Sequence, residues 1–281
     1  MSLNSTLRKA RFEVIPMKGV TDEITALPVG SVVTVTASPR KGIDATFKLS
    51  EELVRRGFRV VPHLAARQIQ DKGHLREMVE RLSAGGFEDV FVIGGDVAKP
   101  AGIYESSAAL IADMVEMGNR PLRIGIAAYP EGHPLIGGET LMQALKDKQP
   151  FADYMVTQIC FDPQTISKWL SSVRSNGITL PVYIGIPGVL SRQKLLEISL
   201  RVGVGDSTRF LKNHFSMLAM ILRRDIYNPD SLVKRISASP IGKDLAGFHI
   251  YTFNQCGSTE QWRQKTLKLG RKSKITQGRL L

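Results

Sequence analysis

Tyrosine, glutamate and histidine side chains follow one apolar run of this sequence closely. The run extends from Arg123 through Ile-Gly-Ile-Ala-Ala, and Tyr129, Glu131 and His133 come directly after it, interspersed with proline. Apolar runs of this length that are bounded by Pro and Gly are typical of strands buried on both faces. Polar groups are costly to bury without partners. The cluster is therefore best explained as side chains that meet a ligand where a strand ends.

The same placement recurs at the other apolar runs of the chain. The polar residues at these run ends are Glu13, Thr36, His63, Asp96, Tyr129, Gln158, Tyr251 and Asn254. A single residue of this kind is more often a turn or a helix cap than a catalytic group. Turns alone are a poor explanation for the pattern at so many strand ends, so we expect the side chains to face one site.

The chemistry that these residues could perform is restricted. The chain has no H-E-x-x-H motif and no serine in a nucleophile elbow, and its two cysteines, Cys160 and Cys256, lie in no activating context. We expect no metal site. The set suits a ligand held by hydrogen bonds, with an acid–base step from Glu13 or Asp96. A cofactor would then have to carry out the difficult step.

Eight segments with strand character must position these residues. They are Arg11–Pro16, Val32–Thr36, Val60–Ala65, Val90–Gly95, Arg123–Tyr129, Tyr154–Phe161, Val182–Pro187 and Gly247–Phe253. Helical patterns lie between most of them, at Ala45–Gly57, Leu75–Ala84, Ala108–Gly118, Leu141–Lys148, Gln164–Asn176 and Gln193–Gly203. Strand–helix alternation predicts parallel pairing, and eight repeats predict a closed (β/α)8 TIM barrel. A doubly wound sheet would favour a G-x-G-x-x-G loop, which is absent.

The interval from Ser191 to Leu245 is longer than one crossover needs. Its helical patterns at Ser216–Asp225 and Leu232–Ile236 predict extra helices before the last strand. Because no low-complexity linker interrupts the chain, we expect one catalytic barrel over residues 1–260. A basic C-terminal tail, residues 261–281, would follow it.

Charge and composition bear on the partners of this chain. The net charge is +12, but residues 261–281 hold seven basic residues and no acidic one. We expect this tail to add solubility or to attract an anionic ligand. The rest of the sequence has no aromatic–basic stripe of the kind that binds single-stranded nucleic acid. No window resembles a membrane span or a secretory signal, so we expect a cytoplasmic protein with neither nucleic acid nor membrane as a partner.

The strand-end residues resemble those of the methylenetetrahydrofolate reductase family, specifically the bacterial type that consists of the catalytic barrel alone. The motifs, in order, are Phe12-Glu13-Val14-Ile15-Pro16, Pro62-His63-Leu64, Gly95-Asp96, Ala127-Ala128-Tyr129-Pro130-Glu131-Gly132-His133-Pro134, Thr157-Gln158 with Phe161-Asp162, Ile186-Pro187-Gly188-Val189-Leu190 and Phe248-His249-Ile250-Tyr251-Thr252-Phe253-Asn254. Each lies on or directly after a predicted strand. The resemblance extends over nearly the whole chain.

This resemblance implies the reduction of 5,10-methylenetetrahydrofolate to 5-methyltetrahydrofolate, with hydride from NADH or NADPH passing through bound FAD. Glu13 would be the general acid that protonates the folate as its five-membered ring opens, and Asp96 would lie near both the folate and the flavin ring. Gln158 would hydrogen-bond the pterin, and Phe161 would complete the substrate-binding set. The residues lining the FAD would be Thr36, His63, Asp96, Ala127, Tyr129, His133 and Lys148. The expected partners are the folate, including polyglutamylated forms, and further copies of the chain.

Some positions differ from the family pattern. Gly94 stands where the family often has an arginine before Gly-Asp, and the following segment Val97–Ile103 is short. These differences leave open a flavin-independent reductase, in which hydride passes directly from the nicotinamide to the folate. A pterin-binding methyltransferase barrel and a non-catalytic barrel subunit are further alternatives. The Tyr-Pro-Glu-Gly-His-Pro stretch and the two acids Glu13 and Asp96 favour the reductase over both.

Overall fold

A closed barrel of parallel strands forms the centre of the computed structural model, which describes residues 3–118, 121–191, 193–194, 226–243 and 245–277. The strands are β1 (Arg11–Val14), β2 (Val32–Val35), β3 (Arg59–Ala65), β4 (Asp89–Ile93), β5 (Arg123–Ala128), β6 (Tyr154–Thr157), β7 (Val182–Pro187), β8 (Leu190–Ser191), β9 (Ile226–Tyr227) and β10 (Leu245–Tyr251). Eight of them close the barrel in the order β1-β10-β7-β6-β5-β4-β3-β2. All neighbours in this ring are parallel, and β8 and β9 form a separate antiparallel pair.

Helices cover the outside of the barrel. Those in the described residues are α1 (Leu3–Arg8), α2 (Val20–Ile24), α3 (Gly42–Arg55), α4 (Lys72–Ala84), α5 (Ser107–Glu116), α6 (Gly138–Lys148), α7 (Pro163–Ser175), α8 (Asp230–Ala238) and α9 (Cys256–Gln277). Short 3₁₀ turns occupy Ala66–Gln68 and Pro240–Lys243. None of the described helices has both the length and the apolar character that a membrane crossing requires.

The sequence prediction of a (β/α)8 barrel is confirmed, and each predicted strand overlaps an observed one. The ends of the predicted helices differ from the observed ends by up to three residues, and the observed helices begin one to three residues before the predicted ones. Asp162, for example, accepts hydrogen bonds from the backbone of Gln164 and Thr165 and so starts α7 at Pro163. The predicted helix Leu232–Ile236 lies within α8. The predicted helix Ser216–Asp225, and Gln193–Gly203 apart from its first two residues, lie outside the described residues.

Helix α9 passes through residue 260, where we predicted the barrel to end. Trp262 and Leu267 of this helix are buried, and the Trp262 indole N–H donates to Asp230 of α8 at 2.7 Å. The first residues of the expected tail are therefore packed against the barrel's helical layer. A separate role for residues 261–281 stays a prediction.

Polar and aromatic side chains fill the barrel interior near the N-terminal ends of the strands. The Arg11 guanidinium lies between the rings of Tyr154 and Tyr183, at 4.1 and 4.3 Å from their centroids, and pairs with Asp89 at 3.0 Å. The Tyr154 hydroxyl also donates to Asp89, at 2.8 Å. Cation–π contacts and a charge-assisted hydrogen bond hold this arginine below the candidate site, although its Nη1 atom is buried without a hydrogen-bond partner in the described structure.

Candidate active site

The candidate site is built around Glu13, which lies on β1 inside the barrel. Its Oε2 atom is 2.9 Å from Nε2 of His249 on β10 and 3.8 Å from Nε2 of His63 on β3. The strand register explains this meeting, since Glu13 pairs with Tyr251 of β10 and every second residue of a strand faces the barrel interior. The carboxylate side chain is 14% exposed, so solvent reaches it only from the mouth.

The two histidines form a buried floor beneath the mouth. The His63 ring lies 4.8 Å from the Phe91 ring, and the His249 ring lies 4.9 Å from that of Tyr251. Burial lowers the pKa of His63 to about 4, against the opposing effect of Glu13 and with a further lowering by His249. His63 is therefore neutral at physiological pH. Nδ1 of His249 is buried without a hydrogen-bond partner in the described structure.

The contact between Glu13 Oε2 and His249 Nε2 is compatible with either form of the carboxyl group. Nε2–H of His249 can donate to Oε2 when Glu13 is ionised and also when Glu13 carries a proton on its other oxygen, Oε1. Both states keep the 2.9 Å hydrogen bond. A carboxyl group that can gain or lose a proton without losing its partner is suited to general acid catalysis.

A backbone turn fixes the end of β1 next to this pair. The Thr252 hydroxyl donates to the Glu13 carbonyl at 2.6 Å. The Asn254 side chain accepts from the Ile15 N–H at 2.8 Å and donates to the Ile15 carbonyl at 3.0 Å. Phe253 and Asn254 have positive φ angles of 48° and 64°, a conformation that costs free energy for residues other than glycine. The side-chain bonds of Thr252 and Asn254 offset that cost and hold Glu13 in place.

A second cluster, of Asp96, Tyr129 and His133, lies at the ends of β4 and β5. Asp96 is exposed, whereas Tyr129 and His133 are half-buried with rings 5.1 Å apart. Burial raises the pKa of Tyr129, and the Asp96 charge raises it further. Burial lowers the pKa of His133, and the Asp96 charge opposes this. Asp96, predicted from one motif, therefore acts electrostatically on Tyr129 and His133, predicted from another.

Gln158 and Phe161, two of the residues predicted to bind the substrate, lie on the segment after β6. The backbone N–H of Gln158 donates to the Ala128 carbonyl at 2.7 Å, and its side-chain oxygen accepts from the Ile159 N–H at 2.8 Å. These bonds leave the exposed amide NH₂ group of Gln158 able to donate to a ligand. Phe161 packs its ring at 5.6 Å from that of Tyr227 on β9.

The remaining predicted cofactor residues occupy different depths of the structure. Thr36 and Ala127 are half-buried at the ends of β2 and β5, whereas His63 is only 4% exposed. Lys148 lies at the end of α6, buried, with Nζ 3.5 Å from Oγ of Ser107 on α5. Burial lowers the pKa of Lys148 to about 8. Its described hydrogen bond is thus to a helix residue and not to the other predicted cofactor residues.

Reasoning from the sequence gave no separate role to His249, the residue closest to Glu13. The available signal was its position two residues before Tyr251 on the last strand, because residues i and i+2 of a strand share a face. Since Tyr251 was expected at the mouth, His249 had to face the interior one layer below. Because His249 and Glu13 are 236 residues apart in the sequence, the sequence did not predict their contact.

FAD is the cofactor that the resemblance implies, and the residues at the mouth fit its ring. A Cβ atom placed on Gly94 would meet nothing within 4 Å, so the space beside this glycine is open. Asp96, Tyr129 and His133 lie near it and offer carboxylate, hydroxyl and imidazole groups, which can hydrogen-bond the heteroatoms of a flavin. Thr36 and Ala127 are near enough to the strand ends to extend this lining.

Comparison with known sequences gives one family. The sequence model of methylenetetrahydrofolate reductase matches residues 20–265. The chain is 24% identical over 198 residues to methylenetetrahydrofolate reductase 2 of Saccharomyces cerevisiae, covering 63% of this chain and 32% of the yeast protein. It is 26% identical over 218 residues to a probable methylenetetrahydrofolate reductase (NADPH) of Caenorhabditis elegans, covering 73% of this chain and 32% of that protein. The chain thus spans about a third of the length of these relatives.

Comparison with solved structures supports the fold. An uncharacterised protein from Clostridium thermocellum that binds two copies of 5-methyl-5,6,7,8-tetrahydrofolic acid superposes with a TM-score of 0.66. The match covers 95% of this chain and 99% of that protein, at 14% sequence identity. At this identity the likeness is evidence for a shared barrel fold alone.

Proposed function

The chain belongs to the methylenetetrahydrofolate reductase family, and on this premise we propose that it reduces 5,10-methylenetetrahydrofolate to 5-methyltetrahydrofolate, with NADH or NADPH as the source of hydride. The observation that carries the proposal is the Glu13 carboxylate, held at 2.9 Å from His249 beneath an open mouth. A scaffold protein has no need of a half-buried acid that is hydrogen-bonded to a buried histidine. A reductase that must open the folate ring does need one.

Glu13 donates a proton in this reaction. The methylene carbon of the substrate bridges two nitrogens, and protonation of one of them lets its bond to carbon break. The other nitrogen then forms a cationic iminium with the methylene group, which accepts the hydride and becomes a methyl group. With the transferred proton on the other carboxyl oxygen, Oε1, Nε2–H of His249 donates to Oε2 before and after the transfer, and this hydrogen bond becomes charge-assisted once Glu13 is ionised. Loss of the proton from Glu13 is thus coupled to a stronger bond with its partner.

Asp96 and Gln158 position and stabilise the substrate. The exposed Asp96 carboxylate attracts the cationic iminium, since opposite charges at the edge of a low-dielectric barrel interact more strongly than in water. Gln158 donates its side-chain NH₂ to the pterin ring. Phe161, packed on Tyr227, offers an aromatic face beside it.

FAD, when bound, supplies a carrier that takes hydride from the nicotinamide and delivers it to the folate. The residues that hold it in this proposal are Thr36, His63, Asp96, Ala127, Tyr129, His133 and Lys148. Tyr129 and His133 contribute directional hydrogen bonds, because their rings are already held edge to face. Ala127 leaves room for a flat ring to approach the strand.

Direct hydride transfer from the nicotinamide is the second candidate. Two of the residues expected to line FAD lie away from the open mouth in the described structure, since His63 is buried in the barrel interior and Lys148 contacts Ser107 between helices. Gly94 moreover supplies no cation where the family often has one. These observations favour a mouth that receives the nicotinamide itself.

The basic C-terminal segment adds a site for the glutamate tail of the folate. A cavity of about 590 Å³ lies between α2 and α9, and its lining includes Lys265, Lys268, Gln264 and Glu260. Glu260 already accepts from Arg263 at 2.7 and 2.8 Å, so its charge is balanced and the two lysines leave the cavity positive. Such a cavity favours a polyanionic ligand, as a polyglutamylated folate is.

The test uses the purified chain with NADH or NADPH, with and without methylenetetrahydrofolate. Oxidation of the nicotinamide that depends on the folate supports the reductase, and folate-independent or absent oxidation contradicts it.

Nicotinamide deuterated at the transferred position separates direct hydride transfer from transfer through a flavin. Deuterium is kept in the product methyl group after direct transfer, but it is lost to water after passage through a flavin, whose N–H groups exchange with solvent. A flavin absorbance band in the purified protein provides the matching spectroscopic evidence.

A further inference from the structure

Hydrogen bonds join the segment after β4 to the 3₁₀ turn after β3, and Arg67 takes part in three of them. Its backbone N–H donates to the Gly94 carbonyl, and its own carbonyl accepts from the Ala101 N–H, both at 2.9 Å. Its guanidinium donates to the Ala98 carbonyl, also at 2.9 Å. One residue therefore holds the segment at its beginning, middle and end.

Close packing supports the same arrangement. A side chain at Gly102 would overlap the Gln70 carbonyl oxygen, and the Ile103 N–H donates to that oxygen at 2.9 Å. Gly95 has a φ of +95°, and a Cβ atom there would lie 3.1 Å from the Cβ of Ala65. The segment thus approaches the turn more closely than larger residues permit.

Asp96 lies between two of the carbonyls that Arg67 binds, those of Gly94 and Ala98. Its carboxylate makes no hydrogen bond or ion pair to any described residue, and it is exposed. Only its charge acts on neighbours, as the effects on the pKa values of Tyr129 and His133 indicate. The location of this carboxylate therefore depends on how the backbone on either side of it is held.

We infer that Arg67 is a positioning residue, which holds Asp96 at the mouth by binding the backbone on both sides of it. No described ion pair joins the two side chains, so the effect passes through the Gly94–Ala98 backbone. The Arg67 Nε atom is buried without an acceptor in the described structure, so the guanidinium reaches Ala98 at the cost of one unpaired donor. The inference deepens the proposed reductase function, since Asp96 is the acid expected to stabilise the cationic folate.

The test compares Arg67→Met, which keeps the aliphatic stem and loses the guanidinium, with Arg67→Lys, which keeps a donor for Ala98. Arg59→Met is the matched control, because Arg59 begins β3, the strand that leads into the turn of Arg67, and its guanidinium likewise donates to a backbone carbonyl, that of Gly30 at 3.1 Å. Arg67→Met is expected to raise the KM for methylenetetrahydrofolate about 10-fold, the effect of one lost hydrogen bond to a charged group. Arg67→Lys should recover part of this loss, and Arg59→Met should leave KM unchanged.

A double-mutant cycle separates positioning from general loss of structure. If Arg67 acts through Asp96, Arg67→Met should add little to the defect of Asp96→Asn. Fully multiplicative effects, or a wild-type KM in Arg67→Met, would overturn the inference.

A second readout, the pKa of His133, does not need enzymatic activity. The pKa of His133 measured by NMR should fall in both Asp96→Asn and Arg67→Met, but not in Arg59→Met. A change in this pKa without any folate turnover would reject the reductase and keep the positioning role, and an unchanged pKa in Arg67→Met would reject the positioning role.

Discussion

Replacement of His63 by glutamine should make the protein less sensitive to acid. Burial lowers the pKa of His63 to about 4, whereas an unfolded chain has the ordinary value of about 6.5. The unfolded state therefore binds more protons between these two pH values, and the free energy of unfolding must fall as the pH falls through that window. The stabilising effect of the neutral histidine is complete above about pH 6.5.

The size of the effect follows from the width of the window. The difference between about 6.5 and about 4 corresponds to about 3 kcal/mol, and about three quarters of this is lost by pH 4.5. His63 is only 4% exposed, so solvent screening reduces the figure little. Glutamine keeps a polar group near Glu13 but does not titrate, so His63→Gln should lack this part of the acid dependence.

Urea denaturation at a series of pH values between 7.5 and about 4.5 measures the difference. The wild-type free energy of unfolding should fall more steeply than that of His63→Gln, and the gap between the two curves should change by about 2–3 kcal/mol. Equal urea m-values would show that both chains unfold from equally compact states. Two parallel curves over the whole range would refute the argument, because they would mean that His63 is not held neutral by burial beside Glu13.

Two further changes test the mouth and the C-terminal segment. Asp96→Asn should weaken folate binding about 10-fold, because a charge-assisted attraction to the cationic folate is lost, and should raise the potential of any bound flavin. Unchanged folate affinity in titrations would instead make Asp96 a turn residue. Lys265→Gln with Lys268→Gln should raise the KM for pentaglutamyl folate at low salt only, with the monoglutamate unaffected. The pair Lys48→Gln with Lys234→Gln removes the same charge from exposed helix positions, and equal effects of the two pairs would reduce the segment's role to solubility.

The barrel was predictable because its strands are short apolar runs with polar residues at one end. Arg123–Ala128 is a case in which the apolar pattern and the following Tyr129 set both the strand and its mouth end. The ends of the helices and the C-terminal end of the barrel were less well predicted. The apolar spacing of residues 261–269 is weak, so the burial of Trp262 depends on Asp230, a partner that local patterns do not identify.

The residues of the candidate site could be proposed from the sequence, but their geometry could not. Glu13, His63 and Asp96 each follow an apolar run, yet which of them meet depends on the register between strands far apart in sequence. His249 and Arg11 show the same limit, since both are buried polar residues whose partners lie on other strands. The sequence did not indicate the role of Arg67 for a different reason. Each of its three hydrogen bonds has a backbone atom as donor or acceptor, and side-chain patterns do not report such bonds.

The most direct test of the proposed reaction is the formation of 5-methyltetrahydrofolate by the purified chain, measured chromatographically with excess NADH or NADPH. Wild type, Glu13→Gln and the control Glu23→Gln, which changes an exposed glutamate of α2, are compared at equal protein concentration. The general-acid role predicts product from wild type and the control, and a rate about 10²–10⁴-fold lower in Glu13→Gln with unaltered thermal unfolding. Wild-type rates in Glu13→Gln, or no folate product from wild type with either nucleotide, would contradict the account.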